Sequence, residues 1–460
     1  MFFKQLYLGC LAQASYLIGS EGEAVVVDPR RDVDVYIDEA AAQGLKIGHI
    51  IETHLHADFV SGHCELAKRT GARIYLGHKS GAAFAHVPVH DGDEIAVGQV
   101  VLRFLETPGH TPESICVLVT DRAVAAEPQM VLTGDTLFIG DVGRPDLVGS
   151  KGYSSEDMAG MLYDSLREKI LKLPDAVVVY PAHGAGSACG KNISKDTYST
   201  LGEQRRSNYA LKEMTREEFV KVATCDLSEP PRYFGHDAEL NRLGASALGE
   251  LAPLKAMAPA EIEVAVGQGI VLLDVRDAQP YRRGHVPGSL NLGLKGQFAS
   301  WAGSLFAPRQ AFVLVADDAP TAAEARMRLA RVGLENVMGY LDGGVDAWSG
   351  HGRTLASLRQ MEVGDLKADR DRGAELQVID VRRPGEHQAG HVPGALNLPL
   401  DQLEHSLGRL DSKRPVAIVC QSGYRSSAAA SLLARAGFSD LANVVGGTAA
   451  WIQAGLPTEP

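Results

Sequence analysis

Cysteine is scarce and poorly spaced for bridging. The six cysteines of this 460-residue chain, at 10, 64, 116, 189, 225 and 420, form no close pair and no C-x-x-C. Neither a disulfide framework nor a zinc ribbon is expected, and a reducing cytoplasm fits best. No apolar run approaches the roughly 20 residues needed to span a bilayer. The opening M-F-F-K-Q-L-Y-L-G-C is broken at Lys4 and Gln5 and falls short of a secretory core, and Leu8-Gly9-Cys10 lacks the hydrophobic run of a lipid-attachment box. Basic residues are outnumbered, 45 against 57 acidic, for a formal charge of −12. That excess leaves no cationic face, so neither nucleic acid nor a membrane is expected as a partner.

What is present is enough for several cores. With 45% apolar and 22% charged residues and no low-complexity run, every part of the chain can bury a core, and its length calls for two to four domains.

The last 200 residues contain an internal repeat. L-L-D-V-R ending at Arg276 returns as V-I-D-V-R ending at Arg382, an offset of 106. G-H-V-P-G-S-L-N-L from Gly284 returns as G-H-V-P-G-A-L-N-L from Gly390 at the same offset, and G-G-V-D-A-W from Gly343 as G-G-T-A-A-W from Gly446 at an offset of 103. Two tandem domains follow, at 252–356 and 357–460, after a different domain at 1–245. In each copy an apolar run ending in Asp-Val-Arg reads as a buried strand, and an Ala- and Leu-rich stretch such as Ser426 to Ala436 as a helix. That alternation predicts parallel α/β sheets.

The N-terminal domain carries T-H-L-H-A-D-F at 53–59, T-P-G-H-T-P-E-S at 107–114, L-T-G-D-T-L-F at 132–138 and Y-P-A-H-G at 180–184. Each sets a His or Asp in a turn after an apolar run. Buried unpaired imidazoles and carboxylates are costly, and a metal relieves that cost.

This ordered series resembles the metallo-β-lactamase fold, an αββα sandwich with its metal between the sheets. The dinuclear pattern of that fold continues H-x-H-x-D-H, and here the last position is Phe59, which cannot ligate; a mononuclear site is expected. H-A-D-F-V-S-G, F-I-G-D-V-G-R-P-D-L at 138–147 and L-G-E-Q-R-R-S-N at 201–208 resemble the persulfide dioxygenase branch. The resemblance implies one iron(II) held by His54, His110 and Asp135, a facial triad with open positions. It also implies that His56, Asp58 and His183 line the site without ligating iron; binding a second metal, as in glyoxalase II, is the alternative. Cys189, six residues after His183, could approach the substrate, although packing is the favoured role, and Arg144, Arg205 and Arg206 are candidates by position only for reading the substrate carrier.

The second repeat has the full rhodanese pattern: D-V-R, G-H-V-P-G-A, a six-residue loop opened by cysteine, and G-G-x-x-A-W. The loop Cys420-Gln421-Ser422-Gly423-Tyr424-Arg425 leaves the strand V-A-I-V and enters a helix that begins around Ser426, so its N–H groups can converge on the sulfur. Arg425 is expected to favour the thiolate, and neither Gly423 nor Arg425 has a packing purpose in this reading. In the first copy Ala316 replaces the nucleophile and Thr321 the arginine, so that copy resembles a rhodanese without its chemistry.

The expected fold class is thus α/β multidomain, a metallo-β-lactamase sandwich followed by two rhodanese-like domains. The resemblance implies a bifunctional enzyme that oxidises a low-molecular-weight persulfide (of glutathione, coenzyme A or a similar thiol) with O2 to sulfite, and that uses Cys420 to form thiosulfate. A homo-oligomer is expected. Two alternatives stay open: a zinc-dependent thioester hydrolase with an accessory sulfurtransferase, and a sulfur-relay protein.

Overall fold

The computed structural model describes residues 1–148 and 152–460. They form two compact units: Met1–Leu251 with Ala330–Gly333, and Ala252–Leu329 with Leu334–Pro460.

The first unit is built on two six-stranded sheets. One runs Phe2–Leu8, Gln13–Ser20, Glu23–Val27, Lys46–Ile51, Arg73–Gly77, Val87–Val89; the other runs Ser199–Thr200, Val178–Pro181, Met130–Gly134, Ile115–Asp121, Val100–Glu106, Glu94–Val97. Inner strands such as Glu23–Val27 and Ile115–Asp121 read as apolar runs because both faces are buried. Side chains alternate across each strand, so Val100, Leu102 and Phe104 meet Tyr16, Val25 and Ile51 in a core between the sheets. The opposite faces are covered by helices. Leu17, Val26 and Ile50 pack with Tyr36 of helix Asp34–Ala42 and Leu66 of helix His63–Thr70. Leu118 and Val131 pack with Leu162 of helix Ser155–Glu168 and Phe219 of helix Arg216–Thr224. These four layers are the αββα sandwich expected from the sequence.

The second unit contains two five-stranded, all-parallel sheets of the same strand order. The first is Lys255–Met257, Val337–Leu341, Phe312–Val315, Val271–Asp274, Leu290–Asn291; the second is Arg359–Met361, Leu441–Val444, Val416–Val419, Gln377–Asp380, Leu396–Asn397. The repeated motifs now have physical reasons. The tryptophans of the G-G-x-x-A-W segments, Trp348 and Trp451, fill the two cores. Gly344 and Gly447 adopt φ of +58°, and a Cβ on Gly447 would lie 2.1 Å from the Cys420 carbonyl oxygen. The D-V-R motif is a buried fork: Arg382 Nη2 lies 2.7 Å from Asp380 Oδ2 and Arg276 Nη2 lies 2.6 Å from Asp274 Oδ2.

The copies differ beside that fork. His387 Nδ1 lies 3.0 Å from Asp380 Oδ2, whereas the corresponding residue of the first copy is Tyr281, which bonds the Ser289 carbonyl instead. Burial pushes the Asp274 carboxyl up; at Asp380 the bonds from Arg382 and His387 outweigh burial and hold it low.

Removing one member of a buried ion pair strands the other charge, typically at about 3–5 kcal/mol. Arg382→Ala is therefore expected to lower the unfolding free energy of the second unit by that order, read by urea unfolding. A change below about 1 kcal/mol would show the pair to be no more than a surface contact.

Candidate metal centre and cysteine loop

Four strand ends bring the N-terminal candidates together. His54 and His56 follow Lys46–Ile51, His110 follows Val100–Glu106, Asp135 follows Met130–Gly134, and His183 follows Val178–Pro181. All five are buried, as is Asp58. One ligand atom from each of His54, His110 and Asp135 falls within a 4.8 Å span. His110 Nε2 lies 3.4 Å and His54 Nε2 3.9 Å from Asp135 Oδ2.

The hydrogen bonds around the histidines choose which nitrogen is free. Thr53 Oγ1 donates to Asp28 Oδ2 at 2.9 Å and so accepts from His54 Nδ1 at 3.1 Å. The His110 Nδ1–H donates to the Arg144 carbonyl at 2.8 Å. Both Nε2 atoms therefore present lone pairs, as outer partners of metal-bound imidazoles require. Burial, with His56 adding to it, pushes the His54 imidazole far below its usual pKa, so it is held neutral. At Asp135 the His183 imidazole, itself raised by Asp135 and Asp58, outweighs burial and holds the carboxyl low. His54 Nε2 and Asp135 Oδ2 are buried without a hydrogen-bond partner. Two imidazoles and one carboxylate with orphaned, converging atoms fit a divalent metal ion. Backbone crowding protects the arrangement, since a Cβ at Gly143 would lie 2.0 Å from the Asp135 carbonyl and 3.0 Å from His110 Nδ1.

His183 turns its Nδ1 to Asp135 Oδ1 and its Nε2 to Asp58 Oδ2, both at 2.7 Å, so it braces two carboxylates. His56 Nε2 is 3.1 Å from Asp28 Oδ1, and the His56 ring packs 4.3 Å from the buried ring of Phe59. The sequence left two roles open for Cys189, packing and an approach to the site; the structure puts its sulfur in a second close group with Asp58 and His183. Asp28, which positions Thr53, was missed because it lies far upstream of the histidine motif. Arg144 and Arg205 do not offer themselves to a ligand. Arg144 is buried in a fork with Asp146 and donates to the Ala188 and Ser228 carbonyls, and Arg205 donates to the Leu171 and Leu173 carbonyls. Arg206, by contrast, lines a cavity of about 540 Å³ with Gly140, Ser194 and Ser199.

In the second unit, Cys420 directly follows the strand Val416–Val419, and helix Tyr424–Arg435 begins four residues later, two residues earlier than expected. The Gly423 N–H donates to Cys420 Sγ at 3.0 Å, and Ser426 Oγ lies 3.3 Å from the sulfur. Gly423 has φ of +113°, a conformation open to glycine, which explains its presence in the loop. Gln421 and Ser422 are exposed. Arg425 has a structural purpose that the sequence reading denied it: Nη1 and Nη2 donate to Glu386 Oε2 and Oε1 at 2.6 and 2.7 Å. In the first copy, Ala316 occupies the end of strand Phe312–Val315, so no sulfur stands there.

Fold and site together define a two-part protein: an αββα domain with a metal-ligating cluster, and a tandem of parallel-sheet domains of which the second alone has a loop nucleophile. Residues 8–183 match the metallo-beta-lactamase superfamily, and residues 258–351 and 362–454 each match the rhodanese-like domain. The chain is 32% identical over 230 residues to the human mitochondrial persulfide dioxygenase ETHE1, covering 48% of this chain and 80% of that protein. It is 34% identical over 174 residues to a hydroxyacylglutathione hydrolase from Polaromonas sp., covering 37% of this chain and 61% of that one. A solved metallo-beta-lactamase from Staphylococcus aureus aligns with a TM-score of 0.66 at 34% identity, over 74% of this chain and 98% of that one. The chain belongs to the persulfide dioxygenase–rhodanese fusions of the metallo-β-lactamase superfamily. This places it among enzymes of sulfur metabolism.

Loss of a ligand or of its outer partner should be graded. His110→Ala is expected to leave less than about a tenth of the wild-type metal by elemental analysis, and Thr53→Val to weaken metal affinity about 10–100-fold in a chelator competition. Full metal retention by His110→Ala would remove that residue from the ligand set.

Proposed function

We propose that the chain oxidises a low-molecular-weight persulfide with dioxygen to sulfite and then joins sulfite to a second sulfane sulfur carried on Cys420, giving thiosulfate. The observation that carries this reading is the set of two imidazoles and one carboxylate with Phe59 beside it, in a chain whose repeat keeps one cysteine loop and loses the other.

Iron(II) held by His54, His110 and Asp135 would supply the activation of dioxygen. The net reaction is R-S-SH + O2 + H2O to R-SH + SO3²⁻ + 2 H⁺, in which sulfur loses the four electrons that dioxygen gains. The surrounding residues contribute orientation and a closed environment. Asp135 is oriented by His183, His183 by Asp58, and the His54 ring by Thr53. Phe59 and Phe138 present buried rings beside His56 and His183 and exclude water there. Arg206, which shares its cavity with Asp196 and Glu203, is the remaining arginine candidate for the carrier.

At the second site the Cys420 thiolate attacks the outer sulfur of R-S-SH. The S–S bond breaks, R-S⁻ leaves and takes the proton, and Cys420 holds a persulfide stabilised by the Gly423 N–H. Sulfite then attacks the outer sulfur and the Cys420 thiolate returns.

Purified full-length protein reconstituted with Fe(II) is expected to consume oxygen when given glutathione persulfide and to release thiosulfate, and Cys420→Ser is expected to consume oxygen at the same rate but accumulate sulfite. Zinc occupancy with thioester turnover and no oxygen uptake would replace this reading with the hydrolase one. Unchanged thiosulfate output from Cys420→Ser would remove the second step.

A further inference from the structure

The first rhodanese copy has no nucleophile, yet its residues reach the loop of the second. Tyr424, inside the Cys420 loop, donates its hydroxyl to the Gly293 carbonyl at 2.8 Å. Farther along the same helix, Ser427 Oγ donates to Asn291 Oδ1 at 2.5 Å and Ser431 Oγ accepts from the Asn291 N–H at 3.0 Å. The helix that follows Cys420 is thus pinned to the first copy at three points.

Where the two copies meet, a cavity of about 260 Å³ opens, lined by Gln297 and Trp301 of the first copy and by Arg383, Glu386, Tyr424 and Arg425 of the second. Arg425 is gripped in two ways. Its guanidinium carbon sits 5.9 Å from the centroid of the Trp301 ring, and its two terminal nitrogens pair with Glu386. An aromatic ring uses the face of a guanidinium and leaves the edge N–H groups for an oxyanion. Glu386 occupies that edge here, and Arg383 adds a second cation. The cavity is smaller than the roughly 300–1,000 Å³ of sites for drug-sized ligands, which suits a small anion.

We propose that Trp301 of the first copy is a specificity-determining residue of the second copy's sulfur-transfer pocket: it holds Arg425 so that, together with Arg383, it receives the sulfur oxyanion that discharges Cys420, the oxyanion displacing Glu386. This rests on Cys420 being a sulfur carrier. In the step concerned, the sulfur lone pair of sulfite attacks the outer sulfur of the Cys420 persulfide. The old S–S bond breaks, its electron pair returns to the Cys420 sulfur, and Cys420-S-S⁻ + SO3²⁻ becomes Cys420-S⁻ + S2O3²⁻. No external oxidant or proton is needed. The sulfite oxygens, which take no part in bond making, are the atoms that Arg425 and Arg383 hold.

The test uses the full chain loaded at Cys420 with sulfane sulfur and discharged in rapid-mixing experiments by sulfite or by cyanide, an acceptor without oxygen atoms. Trp301→Ala is expected to raise the half-saturating sulfite concentration about tenfold, with the maximal discharge rate changed less than about twofold and cyanide discharge unaffected. Trp301→Phe, which keeps an aromatic face, is expected to recover most of the sulfite affinity. Glu386→Gln, which removes the competing charge, is expected to lower the half-saturating concentration. An unchanged sulfite dependence in Trp301→Ala, or equal losses with sulfite and cyanide in Trp301→Ala and Trp301→Phe, overturns the proposal. If Trp301→Ala does not fold, Trp301→Phe and Glu386→Gln decide alone: a raised half-saturation in Glu386→Gln overturns it and a lowered one supports it. Absence of cyanide-releasable sulfur on the unaltered, persulfide-treated protein overturns the carrier reading itself, separately from the role of Trp301.

Discussion

Burying ionised groups is the constraint on which the first unit depends. Asp28, Asp58 and Asp135 lie out of water at the ends of packed strands, with His54, His56, His110 and His183 among them. An isolated carboxylate in such a place is costly, so each must be held by donors or by a cation. Asp28 is satisfied by the Thr53 N–H and hydroxyl and by His56, and Asp135 by His183 on one oxygen. The other Asp135 oxygen and His54 Nε2 are left over. These two leftover atoms converge where His110 also presents a nitrogen, so a metal fits there, and the strands and the tight glycines keep that point open.

The two rhodanese copies separate fold from chemistry better than either does alone. Both keep the Asp-Arg fork, the left-handed Gly-Gly turn and the core tryptophan, and those features hold the sheet together. What the first copy has dropped, the cysteine and the glycine of its loop, is what the sheet does not need. Retaining the scaffold without its nucleophile makes sense if its surface is used, and Gly293, Asn291 and Trp301 are used by the neighbouring copy.

The αββα layers, both parallel sheets and the Cys420 loop were legible because they are written in local patterns: apolar runs ending in His or Asp, and motifs repeated at fixed offsets. His54, His110 and Asp135 came from different motifs, and their convergence is geometric where the sequence offers only resemblance. What stayed hidden depends on contacts between distant segments. Asp28 carries no motif, the Cys189 sulfur reaches Asp58 only through the turn of the chain after His183, and Glu386 looks like one more acidic residue on a short helix. Position alone made Arg144 and Arg205 candidates for a ligand, and their engagement was hidden for the same reason, since a carbonyl that captures a guanidinium leaves no trace in the sequence.

Net charge sharpens the role of the Arg383 and Arg425 pocket. A chain of formal charge −12 repels dianions on average, yet both products of the proposed pathway are sulfur oxyanions. Screening in salt confines the average field to about 8–10 Å, so what a small anion meets at the pocket is set by the groups lining it. There two arginines face one glutamate, and the aromatic face of Trp301 keeps one arginine in place without neutralising it. A ring is suited to that task in a way that a second carboxylate is not: it restrains a cation while leaving its charge available to the incoming anion.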